Sequence, residues 1–279
     1  MSKLNILVAY PYMTKGVIKE LSQSKDDIRF VLDSGAFTAW KAGKPLRLDD
    51  YCKFIESLPF EPWRYFTLDV IGNPHETLRN YETMLSRGFK PIPIFTRGED
   101  PSVINDYYKT SDVVGIGGLV GTPGNKGFVK GIMKYIGDRK VHWLGFTSYD
   151  FISHYKPYMC DSSSWTGGVR FGKSKMYFDD NNWINLDINK IRNQSDTSLH
   201  LFIKQYGFDP VEFMDKRHWK SSGSGKGFNE VLNCRSFTRL QNDIQVKFNT
   251  KYFLACASAW QVRLMKSAYS YWKDRGVIA

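Results

Sequence analysis

The stretch Val31-Leu32-Asp33-Ser34-Gly35-Ala36-Phe37 sets the reading of this chain. Apolar residues Phe30, Val31 and Leu32 deliver a carboxylate, a hydroxyl, two small residues and an aromatic ring. This order predicts a buried strand ending in a site, because the functional groups of parallel α/β proteins sit just past the carboxyl ends of strands. A lone Asp-Ser-Gly serves equally well as a helix cap or the start of a turn. The recurrence of the pattern favours the site: Tyr65-Phe66-Thr67-Leu68 runs into Asp69, and Tyr158-Met159-Cys160 runs into Asp161.

Working outward, apolar segments centred near residues 6, 31, 67, 93, 115, 143 and 159 recur about every 25 residues. Between them lie helical patterns. Leu46 to Leu58 carries apolar residues at Leu46, Leu48, Tyr51, Phe54, Ile55 and Leu58, a spacing of three and four, and Pro74 to Arg87 has Pro in its first turn and Gly88 just past its end. The alternation predicts an α/β fold, a TIM-type (β/α)8 barrel over residues 1–182. Met176-Tyr177-Phe178 is the candidate for the eighth strand. After Asn182 the alternation stops, and residues 183–279 are expected to form a basic, mainly helical extension packed on the barrel. Its longer helices are expected over about Phe228 to Phe248 and Tyr252 to Arg275.

Hydrophobic residues at 42% and aromatic residues at 15% of 279 exclude a disordered chain. The formal net charge is +11, and residues 191–279 hold 14 Lys and Arg against 7 Asp and Glu. A balance that basic points to a polyanionic partner, nucleic acid before a membrane. No apolar run approaches the ~20 residues that span a bilayer, so a cytoplasmic protein without a membrane partner is expected. The cysteines Cys52, Cys160, Cys234 and Cys256 form no C-x-x-C pair, and His75, His142, His154, His200 and His218 show no metal-ligand spacing. No metal, no cofactor and no role for any histidine is expected.

Two nucleotide motifs fail on inspection. Gly223-Ser224-Gly225-Lys226-Gly227 has Lys220 where a P-loop needs its first Gly and Gly227 where it needs Ser or Thr, and Gly115-Ile116-Gly117-Gly118-Leu119-Val120 lacks the third Gly of a dinucleotide fingerprint. The second does put bare backbone at a strand end, where a flat ligand can approach. With no Gly-x-Ser-x-Gly elbow, serine-hydrolase chemistry is not expected. Carboxylates facing each other across a cleft suit chemistry at an anomeric carbon, one attacking the sugar while the other moves protons on the leaving group.

These residues resemble the guanine transglycosylases, which exchange guanine for a 7-deazaguanine in nucleic acid. Leu32-Asp33-Ser34-Gly35-Ala36-Phe37 is similar to the family's Asp-Ser-Gly-Gly-Phe-Gln segment. Leu68-Asp69 looks like the strand end that reads the purine edge, and Gly117-Gly118-Leu119 is similar to the family's Gly-Gly-Leu turn. Leu144-Gly145-Phe146 with Asp150, then Met159-Cys160-Asp161, resembles the Met-Gly-Val-Gly stretch and the Phe-Asp that supplies the nucleophile. The order agrees over residues 5 to about 172. The resemblance implies Asp161 as nucleophile and Asp33 as general acid/base, with Ser34, Phe37, Asp69, Gly117, Gly118 and Leu119 holding the base. Arg170 and Lys173, just after the nucleophile, are expected to hold backbone phosphates.

The departures narrow the substrate. Ala36 replaces a Gly, Ser162-Ser163-Ser164-Trp165 replaces a Cys-containing, Arg-rich run, and the Cys-x-Cys-x-x-Cys zinc site of the tRNA enzymes is missing, so no zinc subdomain is expected. A compact phage-type DNA-guanine transglycosylase fits best, working in the host cytoplasm if phage-encoded. The alternatives are a tRNA-guanine transglycosylase or base-excising glycosylase, and a noncatalytic nucleic-acid-binding protein on the same barrel. The oligomeric state is left open.

Overall fold

The computed structural model describes residues 3–120, 124–191, 197–219 and 227–278. The wholly buried LNILVA forms β1 (Leu4–Ala9), and the Thr14 hydroxyl, accepting from the Val17 N–H, caps α1 (Lys15–Ser22). The Val31–Phe37 stretch spans the end of β2 (Ile28–Asp33) and the start of α2 (Ala36–Lys41), and α3 (Leu48–Ser57) buries Tyr51 and Cys52. Next come β3 (Arg64–Tyr65) and α4 (Pro74–Ser86), where the Asn73 side chain accepts from the Glu76 N–H and Pro74 occupies the first turn. The alternation continues through β4 (Ile94–Phe95), α5 (Val103–Thr110), β5 (Val113–Ile116), α6 (Asn125–Ile136), β6 (Lys140–Trp143), α7 (Tyr149–Tyr155) and β7 (Met159–Ser162). The seven strands expected from the sequence, with helices between them, are all present.

The chain then departs from expectation. Met176 and Tyr177 lie in β8 (Lys173–Tyr177), which pairs antiparallel with β9 (Trp183–Asp187) in a separate hairpin. After α8 (Thr197–Gln205), α9 (Pro210–Phe213) and α10 (Phe228–Phe248) comes β10 (Lys251–Cys256), and only then α11 (Ala259–Lys273). The helix expected from Tyr252 to Arg275 is therefore a strand followed by a helix. β10 is the eighth strand of the large sheet, in place of Met176-Tyr177-Phe178.

That sheet is parallel and curled, with strand order β3-β2-β1-β10-β7-β6-β5-β4. β10 sits between β1, where Ile6 faces Leu254, and β7, where Asp161 faces Phe253. A single parallel bridge, Phe66 with Ile92, links the chain just past β3 to the chain just before β4, the two strands at the ends of this order. Leu7, Val31, Phe66, Ile92, Ile94, Val113, Met159 and Phe253, drawn from around the curl, form one buried cluster. This packed interior fixes the strand ends that carry the polar groups.

Two compact units result. One comprises Asn5–Ser162 with Ile244–Val262; the other comprises Ser163–Asp243 and Arg263–Ala279 with the first residues to Leu4. The expected boundary at 182/183 thus differs from the division in space. The large sheet draws its last strand from beyond residue 250, while the β8–β9 hairpin groups with the helices that follow it. Within the second unit, Asn233 of α10 accepts from the Ser174 hydroxyl (2.6 Å) and the Lys175 N–H (2.9 Å) and donates to the Trp165 carbonyl (2.8 Å).

Candidate active site

β2 leaves Asp33 half-buried at its carboxyl end, and the chain turns at once. Gly35 has φ +77°, and a Cβ there would lie 2.2 Å from Pro11 Cδ. The Gly35 N–H donates to Asp33 Oδ2 at 3.0 Å. Ser34, fully buried, donates its hydroxyl to Asp69 Oδ1 at 2.6 Å and accepts from the Ala36 N–H at 3.2 Å. The two motifs are thus joined side chain to side chain, Asp69 standing in the segment that follows β3.

Asp161, on β7, is gripped from the neighbouring strand. Its Oδ1 lies 2.9 Å from His142 Nε2 and accepts from the Gly145 N–H at 3.0 Å. With the carboxylate ionised, the imidazole nitrogen is the donor of a charge-assisted bond. His142 is completely buried, with its ring edge-on to Phe66 at 4.9 Å, and its Nδ1 has no partner among the described residues. It orients Asp161 and is a site residue that the sequence did not disclose.

The three carboxylates share one field. Burial first, then the charges of Asp69 and Asp161, push Asp33 up to about 7, and the N–H groups of Gly35 and Ser34 only partly oppose this. Burial also raises Asp69, against the hydrogen bond from Ser34. Burial, then the charges of Asp33 and Asp69, push up the Tyr51 hydroxyl, which donates to the Phe66 carbonyl at 2.9 Å. Asp33 can therefore hold a proton near neutral pH beside two other carboxylates.

No protein-family model, curated protein or solved structure matches this chain.

The glycine turn after β5 has divided roles. The Gly117 N–H is committed to the Phe95 carbonyl at 2.9 Å, so Gly117 provides close backbone packing in place of a donor for a ligand. Gly118, with φ +70°, is exposed and packs against Arg97, whose Cβ would lie 3.0 Å from an added Cβ. Leu119 is buried, and its carbonyl accepts from the Asn125 side chain. Arg97, beyond the end of β4 and over the Phe128 ring at 5.1 Å, is a cation at this turn that the motifs did not point to.

Phe37 lies on α2, 37% exposed, stacked on Trp40 at 6.0 Å with the Lys41 ammonium 4.4 Å from its ring centre. The structure does not join it to the carboxylates by any contact described. Lys173 is exposed at the start of β8, in the other unit, and the side chain of Arg170 lies outside the described residues. All four cysteines are buried and free, and among the described residues no group of His, Cys, Asp and Glu is arranged to hold a metal ion. No described helix is long and apolar enough to cross a membrane. A cavity of about 320 Å³, lined by Phe208, Asp209, Glu212, Phe228 and Arg235 among others, belongs to the second unit.

Proposed function

We propose that this chain is a DNA-guanine transglycosylase that exchanges guanine for a 7-deazaguanine through a covalent glycosyl-aspartate, on a closed (β/α)8 barrel working in the cytoplasm. Support for closure comes from the Phe66–Ile92 bridge and from Arg64 of β3, which donates to both oxygens of Asp112, the residue before β5, at 2.7 and 2.9 Å. The strand order is that of a barrel read from its first to its eighth strand.

The observation that carries the activity is the asymmetry of the two carboxylates. Asp33 retains its proton to about pH 7, whereas Asp161 is aimed by two hydrogen bonds to one oxygen, with Oδ2 left for attack. One acid and one nucleophile at the same strand ends is the division of labour of a retaining glycosyl transfer. A guanine swung out of the duplex presents its sugar to this pair. Asp161 attacks the anomeric carbon; the bond to the base breaks, its electron pair leaves with the guanine, and Asp33 supplies the proton. An incoming 7-deazaguanine then gives a proton to Asp33 and displaces Asp161. Asp69, Ser34 and the backbone at Gly118 and Leu119 hydrogen-bond the base, and Phe37 offers it an aromatic face. Lys173, with Arg170, contributes to phosphate binding.

Exchange of labelled guanine into duplex DNA, with tRNA offered in parallel, tests this reading. Asp161→Asn is expected to abolish exchange and covalent trapping while DNA binding survives. Undiminished exchange by Asp161→Asn would remove the nucleophile, and exchange into tRNA alone would move the substrate to RNA.

A further inference from the structure

The end of the large sheet opposite the carboxylates carries a second concentration of charge. Arg29, Arg64, Lys140 and Lys251 stand at or next to the amino ends of β2, β3, β6 and β10. They surround two aromatic rings. Trp63 and Tyr158, the residues just before β3 and β7, have ring centres 6.3 Å apart, and Trp63 also stacks on buried Phe253 at 6.0 Å. The Lys251 and Lys140 ammonium groups lie 4.0 and 5.0 Å from the centre of Tyr158; the Arg29 and Arg64 guanidinium groups lie 5.0 and 5.3 Å from the centre of Trp63.

Among the described residues the anions that face Lys251, Lys140 and Arg64 are few. Asp112 is shared by Arg64 and by Lys140, whose ammonium is 3.0 Å from Oδ2. Arg29 donates to the side-chain amide oxygen of Asn5, among its contacts, at 2.8 Å. Lys251 has the face of Tyr158, and no carboxylate pairs with it among the described residues. A ring face attracts a cation by only about 0.5–2 kcal/mol and neutralises nothing. Burial, then Arg29, Lys140 and Arg64 in turn, hold Lys251 down to about 8, which registers how closely the like charges crowd.

We infer that Lys251 and Lys140, beside the Trp63–Tyr158 shelf, form an oxyanion site for a phosphate-bearing ligand, distinct from the carboxylate site. The fork of Arg64 is already spent on Asp112, so the remaining donors are chiefly ammonium groups, which bind phosphate as compact point charges. A ligand with several phosphate oxygens offsets the repulsion between the Lys251 and Lys140 ammonium groups, of which Lys140 is paired with Asp112. The inference does not depend on the transglycosylase reading.

Calorimetric titration of the full chain, at fixed ionic strength, with tripolyphosphate, with ATP and with a short 5′-phosphorylated single strand tests the site and separates its sources. Tripolyphosphate is expected to bind, and Lys251→Met and Lys140→Met are each expected to weaken it by roughly tenfold or more. Asp161→Asn, which disables the other site, should leave binding unchanged. ATP binding with the same lysine dependence makes the ligand a free nucleotide; the same dependence with the oligonucleotide makes it a nucleic-acid phosphate. Lys140 is nearly half exposed, so its variant serves if Lys251→Met does not fold. The site is overturned if none of the three ligands binds, or if binding stays within about twofold of the parent in the folded lysine variants.

Discussion

Asp33 keeps its proton to about pH 7 in the folded chain, whereas an unfolded aspartate releases it near pH 4. Between those values the folded state binds the extra proton, so this residue makes stability fall as pH rises from about 4 to about 7. Asp33→Asn removes the charge that burial and the two neighbouring aspartates penalise, and its amide oxygen still accepts from Gly35. At pH 8 the variant is expected to be more stable than the parent by up to about 4 kcal/mol, and at pH 4 about equal to it. Denaturant unfolding at the two pH values reads the difference, and an equal gain at both would show that Asp33 is not held protonated. The proposed glycosidic cleavage should be lost in the same variant. The three aspartates were legible because each follows an apolar run at a strand end. His142 was not: the partner of its imidazole is 19 residues away on the adjoining strand, and a single His inside an apolar segment carries no spacing to mark it.

The turn from β2 into α2 shows how an element is held by what it cannot contain. Gly35 adopts a left-handed backbone that costs other residues about 1–2 kcal/mol, and an added Cβ would meet the rigid ring of Pro11 at 2.2 Å. Gly35→Ala is expected to lose at least about 2 kcal/mol of stability and to displace Ser34 from Asp69, whereas Ala at Gly43, where nothing lies within 4 Å of the added Cβ, should cost only the backbone part. Comparing the two melting curves separates collision from backbone strain; equal losses would mean that Pro11 simply moves aside. The sequence carried the Asp-Ser-Gly turn clearly but disguised the eighth strand. Lys173-Ser174-Lys175-Met176-Tyr177 alternates exposed and buried residues before ending in a buried pair, the habit of an antiparallel strand with one wet face. Tyr252-Phe253-Leu254-Ala255-Cys256 is continuously apolar, as a parallel strand covered on both faces is. No Gly or Pro separates it from the following helix, so run together they read as a single helix.

At the scale of the whole chain, the large sheet is finished by residues that follow the stretch Ser163–Asp243, which belongs to a different unit. β10 fills the place between β1 and β7, and Phe253 and Leu254 bring fully buried side chains with it. A chain ending at residue 182 retains the first seven strands and the helices between them yet leaves the edges of β1 and β7 unpaired and the core short of those side chains, a state prone to pairing with other chains. Such a chain is expected to be insoluble, or to melt without a cooperative transition when followed by circular dichroism. The register sharpens the expectation, because Asp161 pairs directly with Phe253. The strand that completes the sheet therefore also holds the backbone of Asp161, the proposed nucleophile, from the side opposite His142. Were residues 1–182 to melt cooperatively within a few degrees of the full chain, the sheet would not need β10 for stability. The proposed base exchange should still be lost, since Asp161 would then stand on a free edge with only His142 and Gly145 to aim it.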